Sequence, residues 1–191
     1  FDDKSVDGLV QNADIAMYKA KEQGRNGYQF YTAEMNTKTH KRLDLETALR
    51  RALERNELVL HYQPQVDLRS GRIFAMESLL RWQRPGIGLV SPMDFIPLAE
   101  ETGLIVPIGE WVLRTACAQN QAWQDAGFAP LRVAVNLSAR QFLQKSLIQT
   151  ISAALRDSGL QAHYLDIEIT ESMVMQNATA AVKTLNELDA M

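Results

Sequence analysis

The hydrophobic pattern divides the chain into a short first part and a longer second part. Apolar residues recur at helical spacing over residues 6–23 and within 32–57, which predicts two helices, and residues 28–31 between them predict a short strand. From Leu58 onward, short apolar runs alternate with longer helical patterns. Strands are predicted at 58–66, 73–82, 132–137 and 165–170. Strands separated by helices indicate parallel βαβ units.

Local signals define several of the intervening helices. Ser91 followed by Pro92 is typical of a helix start, and Gly103 is typical of the end of that helix. Further helical patterns are predicted at about 107–125, in segments up to Arg156, and at 178–190.

The order of elements predicts an α/β fold, and a (β/α)₈ TIM-type barrel fits best. No glycine-rich phosphate loop follows a strand, which disfavours a Rossmann or P-loop sheet. A barrel needs roughly 200 to 250 residues, so residues 58–191 are expected to supply only its first half to two-thirds. Residues 32–57 are expected to form a connector helix, and residues 1–31 to be the end of another domain. A chain that starts at Phe1 is expected to be a piece of a longer protein.

Composition excludes several classes of protein. A net charge of −3 disfavours binding to nucleic-acid polymers. The chain has no uninterrupted apolar run long enough for a membrane-spanning helix and no signal peptide, so we expect no membrane contact by this segment. The lone Cys117 excludes an intrachain disulfide and favours the reducing cytoplasm, where we expect it to be a small core residue.

Three predicted strands each carry one polar residue in an apolar setting: Glu77, Asn136 and Glu168. A buried carboxylate is costly without a partner, so Glu77 is expected to have a metal ion or another cation beside it. Because side chains alternate along a strand, these residues can share the inner face of a barrel. Active sites of such barrels lie at the carboxyl ends of the strands, where Asn136 and Glu168 are expected.

Carboxylate and amide oxygens suit a hard cation such as Mg²⁺ or Mn²⁺, and a pair of such ions can promote phosphoryl displacement. Arg81, four residues after Glu77, is a candidate for binding a phosphate. The residues alone leave structural alternatives open. Glu77 can be an ion-pair partner of Arg81, and Asn136 can cap the following helix, although Ser138 is the better candidate for that cap.

Several segments resemble the motifs of EAL-domain cyclic di-GMP phosphodiesterases, in the order that the family has them. These are HYQPQ at 61–65, ESLLRW at 77–82, FIPLAEETG at 95–103, VNLS at 135–138 and EITES at 168–172. The first part of the chain, ADIAMYKAKEQGRNG at 13–27, is similar to the C-terminal end of a GGDEF (diguanylate cyclase) domain.

The resemblance implies a role for each matching residue. Glu77, Asn136 and Glu168 match the ligands of a two-metal Mg²⁺ or Mn²⁺ site, and Glu77 thereby takes part in activating water. Gln63 and Arg81 match positions that contact the cyclic dinucleotide. Glu171 matches a glutamate that steadies the metal-bearing loop, although it can equally be an acid that complements a helix dipole. Ser78 stands where the family name has Ala, and we expect little consequence because it points away from the site.

The implied reaction is hydrolysis of one phosphodiester bond of cyclic di-GMP to linear pGpG. The family's aspartate pair and catalytic lysine are expected beyond Met191, so this chain alone is expected to be inactive. A degenerate receptor that binds cyclic di-GMP or a protein without hydrolysis stays open, as does regulation through a connector helix at 41–56. An incomplete barrel exposes sheet edges, so we expect a homodimer, or self-association caused by the truncation itself.

Overall fold

The computed structural model describes residues 5–22, 26–176 and 178–191. The chain divides into two compact units, Phe1–Ala48 and Leu49–Met191. The first unit contains helix α1 (Val6–Glu22) and most of helix α2 (Ala33–Ala52). The helix predicted at 6–23 is confirmed up to Glu22, and residue 23 lies outside the described residues.

Two predictions for the first part of the chain need correction. Residues 28–31 form no strand. A strand needs a hydrogen-bonded neighbour, and the described residues of this unit contain none. Helix α2 ends at Ala52, five residues before the predicted end of the connector. It ends there because the backbone turns back, with the amide N–H of Glu57 donating to the carbonyl O of Ala52 at 3.0 Å.

The second unit is built on a mixed five-stranded sheet. Its strands are β1 (Leu58–Val66), β2 (Ile73–Arg84), β3 (Gly88–Val90), β4 (Arg132–Asn136) and β5 (Leu165–Glu168). The order across the sheet is β1-β2-β4-β5, with β1 antiparallel to β2 and with β2, β4 and β5 mutually parallel. The short β3, which the sequence pattern did not predict, pairs antiparallel with the end of β2. The four predicted strands of this unit are confirmed with ends shifted by up to two residues.

Helices connect the parallel strands, as the alternating pattern predicted. Helices α3 (Pro92–Thr102) and α4 (Ile105–Asp125) precede β4, and α5 (Ala139–Phe142), α6 (Leu147–Ser158) and a 3₁₀ turn at Ala162–Tyr164 lead from β4 to β5. Helices α7 (Glu171–Gln176) and α8 (Ala178–Asp189) follow β5. The predicted boundaries of α3 are confirmed. The Ser91 hydroxyl accepts from the amide N–H of Met93 at 3.3 Å, and Gly103 ends the helix in the left-handed region with φ 83°. The sequence pattern did not predict the separate six-residue helix α7.

The core lies between the helices and one side of the sheet. Val133 and Val135 of β4 are buried on this side, and so is Trp82 of β2, whose ring meets that of Phe95 on α3 edge-on at 5.6 Å. Cys117 of α4 is fully buried, as predicted. Among the described residues, no helix is both long and apolar enough to cross a membrane. The (β/α)₈ barrel, of which residues 58–191 would supply the first half to two-thirds, stays a prediction.

Candidate functional site

The strand register brings the predicted polar residues to one side of the sheet. Gln63 lies opposite Glu77, Glu77 lies beside Ala134 of β4, and Asn136 lies beside Glu168. Directly paired residues in a sheet point to the same side, so the alternation predicted from the sequence is confirmed. We call this side the site face and define it by Gln63, Gln65, Glu77, Asn136 and Glu168.

Glu77 and Asn136 are in direct contact. The side-chain amide Nδ2 of Asn136 donates to Oε1 of Glu77 at 2.7 Å. Asn136 is free for this contact because Ser138 caps helix α5, as predicted: the Ser138 hydroxyl accepts from the Gln141 amide N–H at 3.3 Å. Glu77 is half-buried rather than buried as the apolar run predicted.

Glu168 has a similar neutral partner. The side-chain amide Nε2 of Gln65 donates to Oε1 of Glu168 at 3.2 Å. Gln65 was missed in the sequence, although its alternation with Gln63 along β1 places both on the same face. Each of the two carboxylates is therefore held through one oxygen by an amide N–H, and its second oxygen has no protein donor within the described residues.

No basic side chain of the described residues neutralises this pair of carboxylates. Glu77 and Glu168 have only amide partners, whereas the neighbouring Asp166 forms an ion pair with Arg132 at 3.2 Å. The structural alternative of a Glu77–Arg81 ion pair is wrong. The two residues are four positions apart on β2, which is roughly 13 Å along a strand. Carboxylates that have no cationic partner in the protein are available as ligands for a metal ion.

The remaining predicted site residues lie around this pair. Gln63 is exposed directly opposite Glu77. Arg81 is half-buried on the same side, beyond the ends of β4 and β5, and its Nη1 donates to the carbonyl O of Leu80 at 2.9 Å. Glu171 is exposed at the first position of α7. Among the described residues, no hydrogen bond or ion pair joins Glu171 to Glu77, Asn136 or Glu168.

The segment that follows Asn136, between β4 and α5, is fixed by a close helix contact. The Gln141 side chain completes a capping box, with its Oε1 accepting from the Ser138 amide N–H at 3.1 Å. It is buried against Gly109 of α4, where an added Cβ would lie 1.7 Å from the Gln141 Nε2. Glycine is required there by the close approach of the side chain, and this contact between distant segments left no readable signal in the sequence.

Ser78 lies on the opposite side of the sheet from the site, as predicted. It is 3% exposed, and its hydroxyl donates to the carbonyl O of Ala134 at 2.8 Å, joining β2 to β4. Burial raises the pKa of Tyr62, which lies opposite Ser78, to about 12, and it raises the pKa of Cys117 on α4 to about 11. The serine is thus a structural bond between the two strands that carry Glu77 and Asn136.

The donor set on the site face fits a hard divalent cation. Carboxylate and amide oxygens are the ligands that Mg²⁺ and Mn²⁺ prefer, and Asn136 can offer its Oδ1 while its Nδ2 holds Glu77. Within the described part of the chain, no group of three His, Cys, Asp or Glu side chains forms a metal site, so this set depends on the amide of Asn136.

Comparison with known families decides the assignment. A family model described as "EAL domain" matches residues 46–191, which is most of the chain. The chain belongs to the EAL domain family.

Relatives agree with this assignment. The chain is 50% identical over 183 residues to a bifunctional diguanylate cyclase/cyclic di-GMP phosphodiesterase, MucR, from Pseudomonas aeruginosa, covering 96% of this chain and 27% of that protein. It is 41% identical over 183 residues to the cyclic di-GMP phosphodiesterase PdeR from Escherichia coli, covering 96% of this chain and 27% of that protein. The chain therefore spans about a quarter of the length of these relatives.

A solved structure of the PaMucR phosphodiesterase in complex with c-di-GMP also resembles the chain. It has 48% sequence identity and a TM-score of 0.75, over 77% of this chain and 60% of that chain. The mixed α/β fold of this EAL domain is thereby shown to match EAL domain structures.

Proposed function

We propose that this EAL domain, within its longer protein, hydrolyses one phosphodiester bond of cyclic di-GMP to linear pGpG in a metal-dependent reaction. The observation that carries the proposal is the pair of carboxylates on the site face, Glu77 and Glu168, each held by a neutral amide and neither paired with a basic side chain in the described residues. The names of MucR and PdeR and the c-di-GMP complex of PaMucR support the choice of substrate.

Glu77, Asn136 and Glu168 would hold Mg²⁺ or Mn²⁺, in a two-metal site in the complete domain. Such ions supply an activated water and stabilise charge that develops on the phosphoryl oxygens. The role of the chain is to keep the three oxygen donors in place. The Asn136–Glu77 bond does so for β2 and β4, and the pairing of Asn136 with Glu168 does so for β4 and β5.

Gln63 and Arg81 are proposed to bind the nucleotide. Gln63 is exposed beside Glu77, where its amide can hydrogen bond to a ligand on the site face. Arg81 lies beyond the ends of the shorter strands with one guanidinium nitrogen bonded to Leu80, which leaves its other N–H groups for a phosphate. Glu171, three residues after Glu168, is proposed to steady the segment between β5 and α7.

The domain organisation is part of the proposal. Residues 1–31 would be the C-terminal end of a GGDEF domain, 32–57 a connector, and 58–191 the first half to two-thirds of a (β/α)₈ barrel. The name of MucR, which includes a diguanylate cyclase activity, supports the first assignment because the alignment covers nearly the whole chain. The parallel strands β2, β4 and β5 with their crossover helices support the barrel.

This chain by itself is proposed to be inactive and to self-associate as a homodimer. The three proposed ligands form only one part of a two-metal site, and the chain spans 60% of the PaMucR chain. In the described residues, β5 has a strand neighbour on one edge only. Such an edge can pair with a second copy.

Chromatographic analysis of products tests the proposal. The longer protein is incubated with cyclic di-GMP and Mg²⁺ or Mn²⁺, beside Glu77→Gln and beside the 191-residue chain. We expect pGpG from the longer protein only. Removal of the metal should lower the rate by about three orders of magnitude or more, because the ion lowers the activation barrier by several kcal/mol. Nucleotide binding without product would identify a receptor instead, and undiminished turnover by Glu77→Gln would contradict the assigned site.

A further inference from the structure

Gln65 makes a contact that its place in the sheet does not explain. It lies on β1, the first strand in the sheet order, whereas Glu168 lies on β5, the last. Three strand spacings separate the two strands, roughly 14 Å in a flat sheet. Nevertheless, the Gln65 Nε2 donates to the Glu168 Oε1 at 3.2 Å. The sheet must therefore curl toward the site face, and Gln65 reaches across the resulting concavity.

The contact is specific to one oxygen of one carboxylate. Gln65 has Glu168 as its side-chain partner, and Glu168 has no other side-chain donor in the described residues. The amide N–H fixes Oε1, so Oε2 is left as the oxygen that can bind a cation. The arrangement repeats that of Asn136 on Glu77, where an amide N–H also holds Oε1.

A neutral donor suits this role better than a charged one. A lysine or arginine at position 65 would neutralise Glu168 and compete with a metal ion for it. A glutamine orients the carboxylate and keeps its charge. Gln63, two residues away on the same face, makes no side-chain hydrogen bond to the described residues and lies opposite Glu77, so the two glutamines differ in what they contact.

We propose that Gln65 is a positioning residue that orients Glu168 for the metal ion, whereas Gln63 serves the nucleotide. This inference rests on the proposed function, because it needs Glu168 to be a metal ligand. Removal of a group that orients a metal ligand typically weakens metal affinity by 10- to 100-fold. Loss of Gln65 should therefore raise the dissociation constant for Mn²⁺ by about 10-fold or more.

Titration of the longer protein with Mn²⁺, followed by the electron paramagnetic resonance signal of the free ion, measures this constant without turnover. The variants are Gln65→Met, which has similar length but no donor, Gln65→Asn, which is too short to reach, and Glu168→Gln. Gln63→Met is the matched control on the same strand. We expect weaker Mn²⁺ binding for both Gln65 variants and for Glu168→Gln, and wild-type Mn²⁺ binding for Gln63→Met.

The kinetic parameters provide a second readout that a general structural defect would not produce. In Gln65→Met the Mn²⁺ concentration for half-maximal rate should rise while the KM for cyclic di-GMP stays within about twofold. In Gln63→Met the KM for cyclic di-GMP should rise while the Mn²⁺ concentration for half-maximal rate stays unchanged. Unchanged Mn²⁺ affinity in Gln65→Met and Gln65→Asn, with affinity lost in Glu168→Gln, would overturn the proposed role of Gln65 and leave the proposed metal site standing. Absence of Mn²⁺ binding by the wild type, or full binding by Glu168→Gln, would overturn the proposed metal site and this inference with it.

Discussion

Neighbouring residues of the same strands differ in burial and in chemistry according to the side of the sheet on which they lie. On the side covered by helices, Trp82, Val133 and Val135 are almost completely buried. On the site face, Glu77 and Glu168 are half-exposed and Asn136 is exposed. The backbone hydrogen bonds are common to both sides, so the difference comes from the side chains and from what covers them.

This difference assigns the stability of the domain mainly to the helix side and its proposed reaction to the site face. The helix side contributes burial, and the Ser78 hydroxyl on this side donates to the carbonyl O of Ala134 within the protein. On the site face, Glu77 and Glu168 each have one carboxylate oxygen without a donor in the described residues, which leaves these oxygens for a ligand. Substitutions on the helix side should therefore change the free energy of unfolding, and substitutions on the site face should change the reaction.

Trp82→Ala should give the largest loss of stability. Its ring packs on Phe95, and its Nε1 donates to the Glu57 Oε2 at 3.0 Å. Removing a fully buried tryptophan typically costs about 3–5 kcal/mol, and it would leave the Glu57 carboxylate, which is 6% exposed, without this donor. Chemical denaturation measures the change, with the half-buried Trp111→Ala as a milder control. A loss below about 1 kcal/mol would contradict the assignment of Trp82 to the core.

Gly109→Ala should affect both the helix side and the site face of the sheet, and it should lower the free energy of unfolding by about 1–3 kcal/mol. The new Cβ would lie 1.7 Å from the Gln141 Nε2 and would force that side chain out of the capping box that fixes the segment after Asn136. In a Gln141→Ala background, the same change should become neutral or stabilising, because alanine is the better helix former. An equal cost in both backgrounds, measured by a double-mutant cycle, would show that Gln141 is not the obstacle.

Ser78→Ala should cost about 1 kcal/mol of stability, because one buried hydrogen bond is lost and the Ala134 carbonyl loses a donor. This sharpens the expectation from the sequence that the serine has little consequence. Its effect on kcat and KM should be slight, since the side chain points away from the site. A large loss of rate with unchanged stability would break the separation of the two sides.

Titration of Cys117 at alkaline pH should have the smallest effect on the free energy of unfolding, because it begins only near pH 9. Burial raises the pKa of Cys117 from 9.0 to about 11, so the unfolded state loses this proton first. The stability that the buried thiol contributes is fully present below pH 9 and is lost as pH rises toward 11. Unfolding curves between pH 8 and 10.5 should show this decline, and Cys117→Ala should reduce it. A decline of the same size in the variant would assign it to other groups, of which Tyr62 is the first candidate.

The sequence predicted the parts of the fold that depend on local chemistry. The α3 boundaries followed from Ser91, Pro92 and Gly103, because caps involve residues close in sequence. The site face followed from strand alternation at Glu77, Asn136 and Glu168. The prediction of a strand at 28–31 was wrong, because a strand needs a hydrogen-bonded neighbour that the pattern of one segment cannot reveal.

Long-range contacts were beyond the reach of the pattern. Glu57 lies in a polar turn of the sequence, yet it is buried because Trp82, 25 residues later, donates to it. Gln65 reaches Glu168 only because the sheet curls, and Gly109 is needed only because Gln141 packs on it. Each of these depends on the curvature or crossing of elements, which composition and periodicity do not encode.

The most direct test compares two neighbours on β4 in the longer protein. Turnover of cyclic di-GMP and the free energy of unfolding are measured for Asn136→Ala and Val135→Ala. We predict that Asn136→Ala abolishes turnover with little change in stability. Val135→Ala, which removes a side chain that is 1% exposed, should cost about 2 kcal/mol and keep kcat and KM. Wild-type turnover by folded Asn136→Ala would contradict the assignment of this face of the sheet as the catalytic metal site.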